Sequence, residues 1–251
     1  MTRPVLEAEG VVKELGKGVG KVRALDGVSL SLVQGELTLL MGPSGSGKTT
    51  LLSILGCILT PTSGTVKVAG QCTSGLRPEE LASLRRKHIG FIFQSYNLFP
   101  TLSALENVRI ALDVIGRKGY PAAQRAEEVL RDVGLGNRLQ NYPANLSGGE
   151  QQRVAVARAI ASSPSIVLAD EPTAALDSEN GHAVMALLAL IAKEQNRCVL
   201  AVTHDPRTLG YADRVVRIED GKIVGEERRP QGLDAPEIAD LTKTKRRKVH
   251  G

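Results

Sequence analysis

The segment Gly42-Pro43-Ser44-Gly45-Ser46-Gly47-Lys48-Thr49 leaves this chain few folds to choose from. It matches GxxxxGK[ST] in the setting that pattern requires. The continuous apolar run Leu37–Met41 precedes it and a helical stretch, Lys48–Leu55, comes after. An uninterrupted apolar run of that length reads as a strand buried on both faces. The glycines let the backbone turn so that several N–H groups converge on phosphate oxygens, and the helix start adds the positive end of its dipole. The loop residues, with Lys48, Thr49 and Thr50 on the helix, are therefore candidate ligands of a nucleoside triphosphate. Lys48 offers a mobile charge to the β- and γ-phosphates, and the Thr49 hydroxyl is placed to ligate Mg²⁺.

Further apolar runs at 89–93 (IGFIF), 166–169 (IVLA) and 199–202 (VLAV) alternate with helical stretches, notably 122–133 and 151–161. That alternation predicts an α/β fold with a mainly parallel core sheet. The segment 5–32 is β-rich and partly alternating, broken by a glycine-rich turn at 16–20, and predicts an N-terminal antiparallel β region. Asp220-Gly221, between the strand-like segments 214–218 and 222–224, is a two-residue hairpin signal. Residues 95–162 contain no convincing strand and read as an inserted helical subdomain. The expected organisation is one nucleotide-binding domain over 1–230, then a basic, disordered tail over 231–251.

The run at 166–169 ends in Asp170-Glu171. Both carboxylates then stand at the carboxyl end of a buried strand, where ligands of open α/β sheets sit. Asp170 can reach Mg²⁺ through water, and Glu171 is the candidate to orient or deprotonate an attacking water.

Charge and cysteine content exclude some alternatives. Lys243, Lys245, Arg246, Arg247 and Lys248 equal the whole formal net charge of +5, so the rest of the 251-residue chain is balanced. A nucleic-acid-binding body would carry the excess itself. The bland reading of this tail is a solvated end; the sharper one is a weak tether to anionic lipid. Cys57, Cys72 and Cys198 form no CxxC pair and read as buried thiols of a reducing compartment. The first residues lack the apolar core of a signal peptide. The longest apolar stretch, 183–192, is half of the about 20 residues a membrane span needs, so any membrane role would come through a partner.

Leu146-Ser147-Gly148-Gly149-Glu150-Gln151 opens a second helix with a hydroxyl and bare N–H groups, a second anion-binding terminus in one chain. Here the sequence resembles the ATP-binding cassette (ABC) superfamily, whose signature is LSGGQ; Glu150 is a variant position. The resemblance covers roughly residues 5–225 and implies a P-loop NTPase fold of ABC type. It also implies ATP and Mg²⁺ as ligands, and a homodimer in which Ser147, Gly148 and Gly149 of one copy close on the γ-phosphate held by the other. Gln94 matches the Q-loop, which senses Mg²⁺ and touches the membrane partner. Asp177 ends a D-loop with Ala174 in place of the usual Ser or Gly. His204 matches the switch histidine at the γ-phosphate. Segments 84–94 and 102–108 resemble the lipoprotein-release and macrolide-export branch, and 168–177 is similar to cyanobacterial glycolipid-exporter ATPases.

The resemblance implies an ATPase at the cytoplasmic face of a membrane, bound there through membrane-spanning transporter subunits, and the balanced charge of the body argues against a nucleic-acid partner. The rival is a non-transport ABC ATPase of DNA maintenance or translation. Chromosome-maintenance members separate their halves with long coiled coils, whereas Lys48 and Ser147 are only 99 positions apart, and the translation type carries two cassettes. One departure stands out. The family stacks adenine on an aromatic ring near the N-terminus, yet no Tyr, Phe or Trp precedes Phe91 here, and Leu15 takes that place. Losing the ring forfeits roughly 0.5–1.5 kcal/mol of stacking and predicts weaker, less base-selective nucleotide binding.

Overall fold

The structure is a computed structural model that describes residues 3–16 and 18–228; the basic tail lies outside the described residues. Its centre is a six-stranded sheet built on β3 (Leu37–Met41). With β6 (Ile89–Ile92), β7 (Ile166–Asp170), β8 (Cys198–Val202), β9 (Arg214–Glu219) and β10 (Lys222–Arg228), the order is β10-β9-β3-β8-β7-β6. Every pairing is parallel except the β9–β10 hairpin. The hairpin turns at Asp220 and Gly221, with φ of 45° and 75°, the two left-handed positions an Asp-Gly type I′ turn needs.

The apolar runs are continuous because both sheet faces are covered. Leu37 and Leu39 of β3, Val167 and Ala169 of β7, and Val199 and Ala201 of β8 point into one core. Leu40, Ile166, Leu168, Leu200 and Val202 point into a second core on the opposite face. This is the two-residue period of a strand read twice. The first core receives α3 (Ala104–Val114), α4 (Tyr120–Asp132), α5 (Gly148–Ile160) and α6 (Ser178–Glu194). The second receives α1 (Lys48–Leu55), α2 (Pro78–His88) through Leu84, and a four-stranded antiparallel sheet, order β2-β1-β4-β5. That sheet comprises β1 (Leu6–Leu15), β2 (Val22–Leu32), β4 (Ser63–Val68) and the two-residue β5 (Gln71–Cys72).

Polar caps set the helix starts. Ser103 and Ser147 each accept a hydrogen bond from the backbone N–H three residues on, at Glu106 and Glu150, whose carboxylates bond back to the cap N–H. Asp177 caps α6 through the Asn180 N–H. Between 95 and 162 the described residues hold α3, α4 and α5 and no strand. Two thiols are buried as expected: burial pushes Cys57 up to about 11 and Cys198 up to about 12, so neither is a ready nucleophile. Cys72 corrects the expectation. It is exposed, because β5 is a short edge strand with no layer above it. Among the described residues no helix is long and apolar enough to cross a membrane.

Candidate active site

The chain leaves β3 at Met41 and enters α1 at Lys48 through a loop that other segments hold from beneath. Gly42 packs on β9 so closely that a Cβ would lie 2.0 Å from the Ile218 carbonyl oxygen. Gly47 takes φ 99° as the cap of α1, and a Cβ there would lie 2.5 Å from the Ala24 carbonyl oxygen. Only glycine fits either place. The Gly221 N–H donates to the Ser46 carbonyl, and the Asp26 N–H to the Gly221 carbonyl, so β2, the loop and the β9–β10 turn are one unit. Lys48 folds back, its Nζ donating to the carbonyls of Gly42 at 2.8 Å and Pro43 at 2.7 Å. The Ser46 hydroxyl is buried without a partner.

Pro43, Ser44, Gly45, Gly47, Lys48, Thr49 and Thr50 line one wall of an open cleft of about 950 Å³. Gln94, Glu171 and His204 line the same cleft, each just past the carboxyl end of a parallel strand. Gly42 and Ser46 support the loop from below and do not line the cleft. Glu171 has φ 47°, a left-handed conformation rare outside glycine, stabilised by its N–H donating to the Val202 carbonyl at 3.0 Å. That bend directs its carboxylate to the neighbouring strand end, where Oε1 meets His204 Nδ1 at 2.9 Å.

Thr49 Oγ1 donates to Asp170 Oδ1 at 3.3 Å, which brings a hydroxyl and a carboxylate together at the start of α1. Burial raises the Asp170 carboxyl above its ordinary range; the Thr49 hydrogen bond opposes this, and the Glu171 charge adds to it. A hard divalent cation with oxygen ligands would suit this pair and relieve that penalty. Among the described residues no three His, Cys, Asp or Glu side chains converge as a metal cluster, so such a cation would take its other ligands from phosphate oxygens and water.

The remaining candidates lie elsewhere. Ser147, Gly148 and Gly149 sit at the start of α5 and Asp177 at the cap of α6, none of them lining the cleft. They adjoin one another: a Cβ on Gly149 would lie 2.1 Å from Asn180 Oδ1, and Asn180 Nδ2 donates to Asp177 Oδ2 at 2.8 Å. Glu150 is explained here. Its carboxylate accepts from the Ser147 N–H at 2.9 Å and pairs with Arg138 at 3.0 Å, so the variant residue closes the cap and its charge is offset. Those same contacts, the Ser147 N–H first, lower its pKa.

Four supporting residues escaped the sequence reading. Arg158 of α5 donates to the carbonyls of Tyr96 at 2.7 Å and Asn97 at 2.5 Å, two residues at positive φ just after Gln94. Fully buried Asn107 bonds Phe99, Leu102 and Ser103 and shapes the next turn. Gln152 Nε2 donates to the Pro172 carbonyl beside Glu171 at 2.8 Å. Asn180 separates Gly149 from Asp177. Arg158 and Asn107 carried a usable signal, a polar residue within an apolar helical pattern; Asn180 gave none.

A family model described as ABC transporter matches residues 25–174. The chain belongs to the ABC transporter family. It is 44% identical over 236 residues to the macrolide export ATP-binding/permease protein MacB 1 of Aeromonas hydrophila, covering 94% of this chain and 36% of that one. It is 43% identical over 239 residues to MacB of Escherichia coli K12, covering 95% and 36%. The chain thus spans about a third of the length of the curated relatives it matches. Among solved structures, a dimeric post-hydrolysis state of the ATP-binding cassette MJ0796 bound to ADP and Pi matches with a TM-score of 0.81 at 41% identity, over 89% of this chain and 98% of that one. These likenesses support the ABC-type fold and the macrolide-export branch expected from sequence.

Within this ABC fold the expected aromatic position is aliphatic. Leu15 pairs across β1–β2 with Val22, and both are exposed and line the cleft. They add an apolar lining to the cleft that the phosphate loop also lines.

Proposed function

We propose that this chain is the ATP-binding and ATP-hydrolysing subunit of a membrane exporter of the macrolide-export type, and that two copies close around two ATP. The observation that carries this reading is the Glu171–His204 pair at 2.9 Å in the cleft that Lys48 and Thr49 also line. The loop N–H groups and the α1 start bind the β- and γ-phosphates, and Lys48 turns from its carbonyl contacts to meet them. The base lies against Leu15 and Val22. Mg²⁺, held by Thr49 and Asp170 and monitored by Gln94, would neutralise charge on the phosphate oxygens.

Glu171, fixed by His204, accepts a proton from the attacking water as its oxygen bonds to the γ-phosphorus and the bond to ADP breaks. Ser147, Gly148, Gly149 and Asp177 do not line their own cleft and act on the nucleotide of the second copy. The dimeric MJ0796 cassette, bound to ADP and Pi, supports the pairing of two copies. Membrane-spanning subunits dock near 94–107, where Phe99 is 48% exposed, and hold the ATPase at the cytoplasmic face. Closing and reopening of the dimer moves them.

Phosphate release from purified protein tests the chemistry. Glu171→Gln should lower it by at least about 100-fold, keep ATP binding and trap a dimer. Capture of tagged Glu171→Gln with ATP from solubilised membranes tests the transport reading. A permease should be recovered; ribosomal or chromosomal proteins without any membrane protein would overturn the transport reading and leave the ATPase standing.

A further inference from the structure

His204 stands at the end of β8, and the segment after it, 205–211, is bound tightly to a different surface. Asp205 caps the short helical turn Pro206–Tyr211, accepting from the Arg207 N–H at 2.9 Å, while its own N–H donates to Thr203 Oγ1 at 3.0 Å. Arg207 then uses its fork. Nε reaches both Asp205 oxygens at 3.0 Å, Nη2 lies 2.8 Å from Asp205 Oδ2, and Nη1 donates to Ser178 Oγ at 2.5 Å. Ser178 is the first residue of α6, directly after Asp177. A turn further along, His182 Nδ1 meets Tyr211 Oη at 3.0 Å. Ser178 and His182 are four residues apart and so share one face of α6, and both join the segment that carries His204.

The first turn of α6 is in turn seated against α5. Asn180 clasps Asp177 with backbone and side chain and fills the space beside Gly149. A continuous chain of contacts therefore runs from Gly149 through Asn180 and Asp177 to Ser178, Arg207, Asp205 and His204. Arg207 is more than half exposed, and ion pairs at that exposure contribute little to stability. Its three contacts with Asp205 hold the guanidinium in place within its own segment, and the single Nη1 bond to Ser178 sets where that segment lies against α6.

We propose that Arg207 is a positioning residue that ties the His204 loop to the start of α6, so that engagement of a second copy at Gly149 and Asp177 sets the placement of His204 in the first copy's own cleft. The proposal rests on the dimeric ATPase reading above and deepens it. Each copy's catalytic histidine then responds to the other copy's nucleotide, and hydrolysis at the two sites is cooperative.

Two measurements on the full chain test this with Arg207→Gln and Ser178→Ala. In the nucleotide-free protein, the His204 imidazole resonance, identified among the four histidines by its loss in His204→Gln, should shift and broaden in both variants. An unchanged resonance overturns the proposal, and this readout needs neither dimer nor turnover. In phosphate release against ATP concentration, the Hill coefficient should fall from near 2 toward 1 and kcat by about 2- to 30-fold, with ATP Kd unchanged. Wild-type kcat and Hill coefficient in both variants overturn it too. A wild-type protein that neither hydrolyses ATP nor dimerises would defeat the proposed function, while the resonance would still decide whether Arg207 places His204.

Discussion

Replacing Arg158 with Met should silence the cleft without unfolding the protein. Arg158 projects from α5 and donates to two successive carbonyls, those of Tyr96 and Asn97. Both residues hold positive φ, 59° and 49°, which costs roughly 1–3 kcal/mol for each non-glycine residue. Hydrogen bonds from a charged donor contribute about 1.5–3 kcal/mol each, so two of them just exceed the strain they hold in place. Burial works against the guanidinium as well, lowering the Arg158 pKa. Without the bonds, the loop sheds its strain by relaxing, and the stability lost is the small difference of these terms, at most about 1 kcal/mol.

Function is affected far more, because Gln94 lies two residues before Tyr96 and loses its placement with the loop. A misplacement of about 1 Å at a reacting site can cost 100-fold, so kcat should fall by about 10- to 100-fold. ATP binding should change by less than about threefold, since the phosphate loop rests on β2 and β9 and not on Arg158. Urea unfolding, ATP titration and phosphate release measure the three quantities. A kcat within twofold of wild type would refute the bracing argument. So would a stability loss of about 5 kcal/mol with binding lost, since Arg158 would then hold the whole fold.

Gly149→Ala places a Cβ where Asn180 Oδ1 now lies, so Asn180 must leave Asp177; a stability loss of about 1–2 kcal/mol by urea unfolding and loss of the ATP-trapped dimer in a Glu171→Gln background are expected. Asp170→Asn should make the nucleotide-free protein more stable at neutral pH, by about 0.5–2 kcal/mol, and abolish Mg²⁺-dependent stabilisation by ATP. The sign comes from burial, which raises the native Asp170 pKa above the unfolded value. The native state then holds that proton more tightly, so the penalty is absent at low pH and develops as pH rises through the native value. The gain from Asn should accordingly vanish below the ordinary carboxylate range in a pH series of unfolding curves. Leu15→Tyr restores a stacking ring at the apolar lining of the cleft and should tighten ATP binding by about 2- to 10-fold, measured by titration of the Glu171→Gln protein.

The inner strands of the core sheet are legible because they are buried on both faces, which makes each an almost wholly apolar run. Leu37–Met41 reads as a strand from sequence and is one. Where burial is one-sided or brief, that signal fades. Ser63–Val68 and Gln71–Cys72 show no apolar run, since one face of β4 is open and β5 is only two residues long, and the sequence pattern does not reveal them. The helical pattern at 151–161 begins three residues later than α5 itself. Gly148 and Gly149 are poor helix formers by propensity, yet the Ser147–Glu150 capping box starts the helix before them. The candidate site divides in the same way. Lys48, Thr49, Asp170, Glu171 and His204 announce themselves at strand ends, where position implies chemistry. Arg158, Gln152 and Asn180 act on backbone or on glycines far away in sequence, and no local pattern encodes the partner.

Those three residues together explain why one helix can serve two places. The start of α5 carries Ser147, Gly148 and Gly149, its body holds the Pro172 carbonyl beside Glu171 through Gln152, and its last turn holds the loop after Gln94 through Arg158. An α-helix rises 1.5 Å per residue and bends little over three turns, so a displacement at Gly149 is not absorbed before residue 158. Gly149 cannot move toward α6 alone either, because Asn180 already occupies the space a Cβ would need. In the proposed dimer, a second copy that displaces the start of α5 would move the helix as a body, and with it the loops beside Glu171 and Gln94. A loop-borne signature would have yielded locally. Seating the glycines in the first helical turn makes contact at one surface and geometry in the cleft the same event.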